Sequence, residues 1–169
     1  MPAEPPWPDA AARNLKMLIP MRVRDLMERN VLTLDCTENL DLVEDLMTLG
    51  RIRHMPIVSD GQLVGLVSQR DLLRAGISSV LHLCRTAEKT WLAKISVRQV
   101  MTTHVFTIGP DEPMRNGVEL MLKKKIGCLP VVENGAVVGM LSETDCLRYL
   151  AHVLDIDEIR HVLPELSSV

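Results

Sequence analysis

Residues 63–74 read Leu63-Val64-Gly65-Leu66-Val67-Ser68-Gln69-Arg70-Asp71-Leu72-Leu73-Arg74, and residues 137–148 read Val137-Val138-Gly139-Met140-Leu141-Ser142-Glu143-Thr144-Asp145-Cys146-Leu147-Arg148. Each is a Val- and Leu-rich run of strand length that passes into Ser-x-x-Asp, the pattern of a capped helix start. The two lie 74 residues apart, and this offset holds without a gap between residues 23–74 and 97–148, where 18 of 52 aligned positions are identical. A period this long does not suit a solenoid repeat, so the chain is read as a duplicated domain.

Working outward from these stretches, both copies give the same order of elements. Val31-Leu32-Thr33-Leu34 predicts a short first strand, with Thr37 as helix N-cap in the first copy and Asp111 in the second. Leu40, Val43, Leu46 and Met47 follow at helical spacing, as do Met114, Val118, Met121 and Leu122. Met55-Pro56-Ile57-Val58 predicts a second strand whose proline belongs at a strand start or an edge. Asp60-Gly61 and Asn134-Gly135 are hairpin turn signals. The result is an α/β (α+β) protein of two β-α-β-β-α units, each a small sheet packed with helices and related to the other by a pseudo-twofold axis. A unit of this size is marginal alone, which favours burial of one against the other.

The expected divisions are an N-terminal arm over 1–20, disordered or briefly helical, with 1–9 disordered; a first repeat over 21–78; a helical connector over 79–96; a second repeat over 97–151; and a helical tail over 152–169. Composition narrows the function. Hydrophobic residues make up 47% of the 169-residue chain but aromatics only 2%, so the core is built from Leu, Val, Ile and Met. A formal charge of −3 disfavours nucleic acid as partner. There is no apolar run of membrane-spanning length, and residues 1–9, with four prolines, do not read as a signal peptide. Cys36, Cys84, Cys128 and Cys146 form no C-x-x-C pair and read as reduced thiols of a cytoplasmic protein.

The ordered set Val23-x-x-x-Met27, Val31-x-Thr33, Ile52-x-x-x-Pro56-Ile57-Val58 and Gly65-Leu66-Val67-Ser68-Gln69-Arg70-Asp71, repeated in the second half, resembles the CBS domain, whose tandem pair is called a Bateman module. It spans roughly residues 20–150. The resemblance implies a regulatory module binding AMP, ADP, ATP or another adenosyl ligand in the cleft between repeats. Some members take S-adenosylmethionine, NAD or cyclic dinucleotides instead. With no room for a separate catalytic domain, the chain resembles the stand-alone members, which pair as disc-like homodimers and act on a partner protein.

The residues that carry this expectation are of three kinds. Asp71 and Asp145 are carboxylates that only accept hydrogen bonds and suit ribose hydroxyls, while Ser68 and Ser142 supply hydroxyls at helix starts. The same Ser-x-x-Asp is also a capping box, and capping and binding are compatible. The preceding glycines, Gly65 and Gly139, permit close approach. By resemblance, Ile52, Arg53, His54, Met55 and Pro56, with Ile126, Gly127, Cys128, Leu129 and Pro130, line the base cleft, and Arg53 or His54 reaches phosphate. Gly127 and Cys128 lack a basic side chain, so the sites are expected to be asymmetric. The one carrying Asp145 and Thr144, with Arg53 or His54 supplied across the cleft, is favoured. Arg70 faces phosphate or forms a surface ion pair, and Leu32 and Phe106 flank the base or pack in the core. Lys123-Lys124-Lys125 reads as a solvated helix end, and His104 as unpartnered. The alternative is a structural or dimerisation module with empty clefts. With no nucleophile–base pair, metal-ligand cluster or P-loop, an enzyme is not expected, and no cofactor is required.

Overall fold

The computed structural model describes residues 21–76 and 85–153. The N-terminal arm, the first part of the connector with Leu81 and Leu83, Cys84, and the tail beyond Val153 lie outside the described residues. In the first half, α1 (Val23–Leu26) leads to β1 (Leu34–Asp35), α2 (Leu40–Gly50), β2 (His54–Ser59), β3 (Gln62–Ser68) and α3 (Gln69–Ala75). A connecting helix, α4 (Arg85–Leu92), is followed by α5 (Val97–Val100), α6 (Met114–Lys124), β4 (Cys128–Glu133), β5 (Ala136–Ser142) and α7 (Glu143–Val153).

The first sheet has the order β1-β2-β3, with β1 parallel to β2 through Leu34↔Ile57 and β2 antiparallel to β3. In the second half β4 and β5 pair in the same way, and the counterpart of β1 is a single parallel bridge, Ile108↔Val131. The first strand is therefore shorter than Val31-Leu32-Thr33-Leu34 predicts. Only its last residue finds a sheet neighbour, while Leu32 and Thr33 remain exposed. Pro56 is the third residue of β2, but β1 pairs only from Ile57 onward, so the missing N–H lies ahead of that ladder. Both hairpins turn as their Asp-Gly and Asn-Gly signals require, with positive φ at Asp60 and Gly61 and at Asn134 and Gly135.

The two halves exchange their leading segments. Val23 lies in the core of the second half with Ile108, Met114, Met121, Leu129, Val131 and Leu141, and Val97 lies in the core of the first with Leu40, Val43, Met55, Ile57 and Val67. Bridges Arg22↔Pro113 and Glu28↔Met140 are matched by Asn39↔Ser96 and Leu66↔Thr102. This exchange changes how the helices are capped. Thr37 does not cap α2; its hydroxyl donates to Asp35 Oδ1 at 2.6 Å, and Asn39 takes the cap position without a side-chain bond. Asp111 instead pairs with Arg22 and Arg24. The first N–H of each helix is satisfied from the exchanged segment: Leu40 N–H donates to the Ile95 carbonyl at 3.0 Å and Met114 N–H to the Met21 carbonyl at 2.8 Å.

The buried face of α6 is Met114, Gly117 and Met121, whereas Leu122, expected inside, is 73% exposed. Gly117 allows α6 to sit on the sheet, since a Cβ there would fall 2.8 Å from Leu141 Cδ2. Helix α4 seals the first half: Leu92 is buried, Lys89 Nζ lies 2.7 Å from Asp45, and Trp91 Nε1 donates to the Ala75 carbonyl at the end of α3.

Candidate functional site

Both Ser-x-x-Asp elements form at helix starts. Asp71 Oδ2 accepts from Ser68 N–H at 2.8 Å and from Ser68 Oγ at 2.6 Å. Asp145 Oδ2 accepts from Ser142 N–H at 2.9 Å and from Ser142 Oγ at 2.5 Å. Capping thus occupies one oxygen of each carboxylate and leaves the other. Asp145 Oδ1 is held by Arg148 at 3.2 Å, while Asp71 Oδ1 has only Arg74 at 3.8 Å, beyond hydrogen-bond range. Asp71 is the carboxylate with an oxygen open to a donor.

Asp71 also faces the space. A cavity of about 660 Å³ opens between the halves, lined from the first by Arg53, His54, Leu66, Ser68, Gln69, Arg70, Asp71, Leu73 and Arg74. The second half contributes Thr102, His104, Val105, Phe106, Lys125, Ile126, Gly127, Cys128 and Glu143. Of the residues singled out in the sequence, Arg53, His54, Ser68, Arg70, Asp71, Phe106, Ile126, Gly127 and Cys128 meet here.

The others do not. Met55, Pro56, Leu129 and Pro130 are buried and do not line this cavity: Met55 and Leu129 belong to the two hydrophobic cores, and Pro56 and Pro130, the next residues along each strand, are buried on the opposite face. Ile52 lines a smaller hollow of about 140 Å³ with Met47, Leu72 and Leu92. Leu32, Ser142, Thr144 and Asp145 are not among this cavity's lining, so the cavity lies on the Asp71 side and not on the favoured Asp145 side. One part of the favoured arrangement is present: Arg53 Nη2 reaches across to Thr144 Oγ1 at 3.2 Å. Gly65 and Gly139 give close approach to protein and not to open space, since Met101 packs on Gly65 and Met27 on Gly139.

Arg53, Arg70, Arg74 and Lys125 set four cations around the cavity against the carboxylates of Asp71 and Glu143. Arg70 makes no ion pair among the described residues. His54 is not a fifth cation. Burial lowers its pKa, Arg53 adds to this, and Asp71 and Glu143 oppose it, so the imidazole is neutral at neutral pH. The Cys128 thiol is pushed up to about 12, chiefly by burial and then by Glu143, and forms a protonated, weakly polar part of the wall. Phe106 is 42% exposed and carries Lys124 Nζ at 4.6 Å from its ring centroid. Among the described residues no group of three or more His, Cys, Asp or Glu could hold a metal ion, and no helix is long and apolar enough to cross a membrane.

Several lining residues escaped the sequence reading: Leu66, Gln69, Leu73, Arg74, Thr102, His104, Val105, Lys125 and Glu143. Thr102 to Phe106 arrive by the exchange of leading segments, a long-range event that leaves no periodic trace. The 74-residue offset alone links them to residues 28–32.

The CBS domain model matches residues 23–78 and 97–152, and the chain belongs to the CBS domain family as a tandem pair. A CBS domain-containing protein of Dictyostelium discoideum is 31% identical over 137 residues, covering 79% of this chain and 93% of the relative. A structure described as an acetoin utilization protein, AcuB, of Vibrio cholerae has a TM-score of 0.67 at 33% identity, over 83% of this chain and 97% of that one. The CBS domain pair of protein MJ0100, in complex with 5′-methylthioadenosine and S-adenosyl-L-methionine, has a TM-score of 0.64 at 26% identity, over 77% and 99% of the two chains. The chain spans only 47% of protein MJ1225 of Methanocaldococcus jannaschii and 24% of a homoserine O-acetyltransferase of Methanohalobium evestigatum.

Proposed function

We propose that the cavity on the Asp71 side binds the adenosine part of an adenine nucleotide, AMP, ADP or ATP, and that the protein is a regulatory module without catalytic activity of its own. The observation that carries this reading is the open Oδ1 of Asp71, set among four cations and beside the apolar Val105, Phe106 and Ile126. An ionised carboxylate at that place accepts from ribose hydroxyls, and the cations suit phosphate. The MJ0100 pair, with its adenosyl ligands, supports the class of ligand. The match to a quarter of an acetyltransferase supports a regulatory role, in which a ligand acts by preferring one pose of the module over another. A regulated partner protein and a homodimer belong to the same proposal.

Isothermal titration with AMP, ADP, ATP, S-adenosylmethionine and 5′-methylthioadenosine tests it. Binding should occur with at least one, and Asp71→Asn should weaken it about tenfold, since a charged acceptor is lost. Asp145→Asn should act more weakly. Unchanged affinity in Asp71→Asn would remove the carboxylate from the site. A second reading, a dimerisation module with empty clefts, is favoured by Leu73 and Leu147, exposed by 71% and 63% at equivalent places on α3 and α7. Absence of binding by all five ligands would leave that reading standing.

A further inference from the structure

The connecting helix α4 has a counterpart in the sequence. The 74-residue offset between the repeats extends ahead of them, where Leu92, Ile95 and Val97 correspond to Leu18, Met21 and Val23. The backbone keeps this register: the Ile95 carbonyl accepts from Leu40 N–H at the start of α2, and the Met21 carbonyl from Met114 N–H at the start of α6. Three residues before Ile95, Leu92 is buried in the first core and lines the small hollow beside Glu44, Met47 and Leu72. Among the described residues the second core has no counterpart of Leu92. Cys146, which stands where Leu72 is buried, is only partly buried.

The matching surface of the second half, along α6 and α7, is more apolar than its twin. Glu44 and Thr48 of α2 correspond to Val118 and Leu122 of α6, and Leu122 is exposed. The leading segment changes in step, since Lys89 of α4 corresponds to Leu15. Lys89 pairs with Asp45 on α2, whereas Glu119, the counterpart of Asp45, has a cation on its own helix, Arg115, at 2.5 Å. No cation is required at position 15. Ala11, Leu15 and Leu18 fall at i, i+4 and i+7, the spacing of one helix face, in an alanine- and leucine-rich stretch that stops at Pro20. Leu18 is three residues from Met21, whose carbonyl is held at the start of α6, so a reach of about 11 Å ties it to this chain's own second half.

We propose that residues 11–18 dock as an amphipathic helix along α6 and α7 of the same chain, with Leu18 in the place of Leu92, against Met121 and Cys146, and Leu15 against Val118 and Leu122. The N-terminal arm then braces α7, the helix of Asp145, as α4 braces α3, the helix of Asp71, through Leu92 and the Trp91 bond to the Ala75 carbonyl. Neither contact of the arm depends on what fills the Asp71 cavity.

The experiment is thiol cross-linking of the full chain. Leu18→Cys, treated with a short bismaleimide and mapped by peptide mass, should join residue 18 to Cys146 within one chain. Lys16→Cys, on the opposite side of the helix, should not reach Cys146. Urea unfolding gives a second reading: Leu15→Asp and Leu18→Asp should each lower the midpoint, because a carboxylate cannot enter the apolar contact, while Lys16→Asp should leave it unchanged. The cross-link uses a conservative substitution and so stands even where an aspartate variant fails to fold. Equal cross-linking from positions 16 and 18, a product of dimer mass, or midpoints unaltered by Leu15→Asp and Leu18→Asp would each overturn the proposal, and none of them bears on nucleotide binding.

Discussion

The thioether of Met101 lies directly on Gly65, so close that a Cβ on that glycine would stand 2.5 Å from Sδ. Met101 cannot simply swing aside. Its Cγ and Cβ would be 2.9 and 3.2 Å from the new atom, and the next residue, Thr102, is fixed to Leu66 by backbone hydrogen bonds in both directions. Gly65→Ala should therefore destabilise the protein by about 1–3 kcal/mol, the usual cost of overpacking, measured by urea unfolding. Adding Met101→Ala should recover part of that loss. A Gly65→Ala protein as stable as the wild type would mean that the exchanged segment is loosely held. Gly139→Ala should behave alike, because Met27 Sδ and the Glu28 carbonyl oxygen would lie 2.5 and 3.1 Å from its Cβ.

These contacts also mark what the sequence could and could not disclose. Gly65 and Gly139 sit at the same point of the repeat, as do Met27 and Met101, so the offset made both pairs visible as recurring residues. It could not show that each methionine crosses to the opposite glycine. Local signals held where local physics decides the outcome: Asp60-Gly61 turned as expected, and Ser68 with Asp71 formed its cap. They failed at Thr37 and Asp111, because the N-termini of α2 and α6 are satisfied by backbone from the exchanged segments. The same crossing brings Thr102, Val105 and Phe106 to Asp71. Half of the cavity wall was thus hidden in a tertiary relationship, while the carboxylate and Arg53 were legible from the motif.

The lowered pKa of His54 has a thermodynamic consequence. Burial is its main cause, with Arg53 and Arg70 acting in the same direction and Asp71 and Glu143 against it. The unfolded chain, with an ordinary value near 6.5, then binds a proton more readily than the folded one. The stability associated with neutral His54 is fully present above about pH 6.5 and is lost as the pH falls from there through the lower folded value. Urea midpoints without ligand should fall between pH 7.5 and 5.5, and less so in His54→Gln. Parallel pH profiles for the two proteins would show that His54 does not carry the effect.

Cys128 borders the cavity and yet should be inert. With its pKa at about 12, held up by burial and by Glu143, almost no thiolate exists at pH 8, and the thiolate is the nucleophile. Peptide mapping after brief iodoacetamide treatment of the native protein should find Cys128 unmodified, with labelling appearing once urea unfolds the chain. Rapid native labelling would place the thiol in contact with solvent or beside an unseen cation. Cys128→Ala, which keeps a small apolar side chain in the wall, should leave nucleotide affinity within about twofold, because a protonated thiol is only a weak hydrogen-bonding group.

Lys125 ends α6 in a left-handed conformation, φ 54°, where glycine would be at ease. Its counterpart Arg51 ends α2 in the same way, φ 49°. A side chain in this region costs about 1 kcal/mol or more relative to glycine, while a cation at a helix C-terminus returns about 0.3–1 kcal/mol through the helix dipole. The balance gives no structural reason to prefer lysine, and Lys125 faces the cavity that holds Asp71. Lys125→Gly should therefore keep or raise the urea midpoint while weakening AMP by about three- to tenfold and sparing adenosine, as expected for a lost phosphate contact. Lys125→Arg should retain AMP binding. A Lys125→Gly protein that loses stability and binds AMP as before would show that the lysine serves the helix end alone.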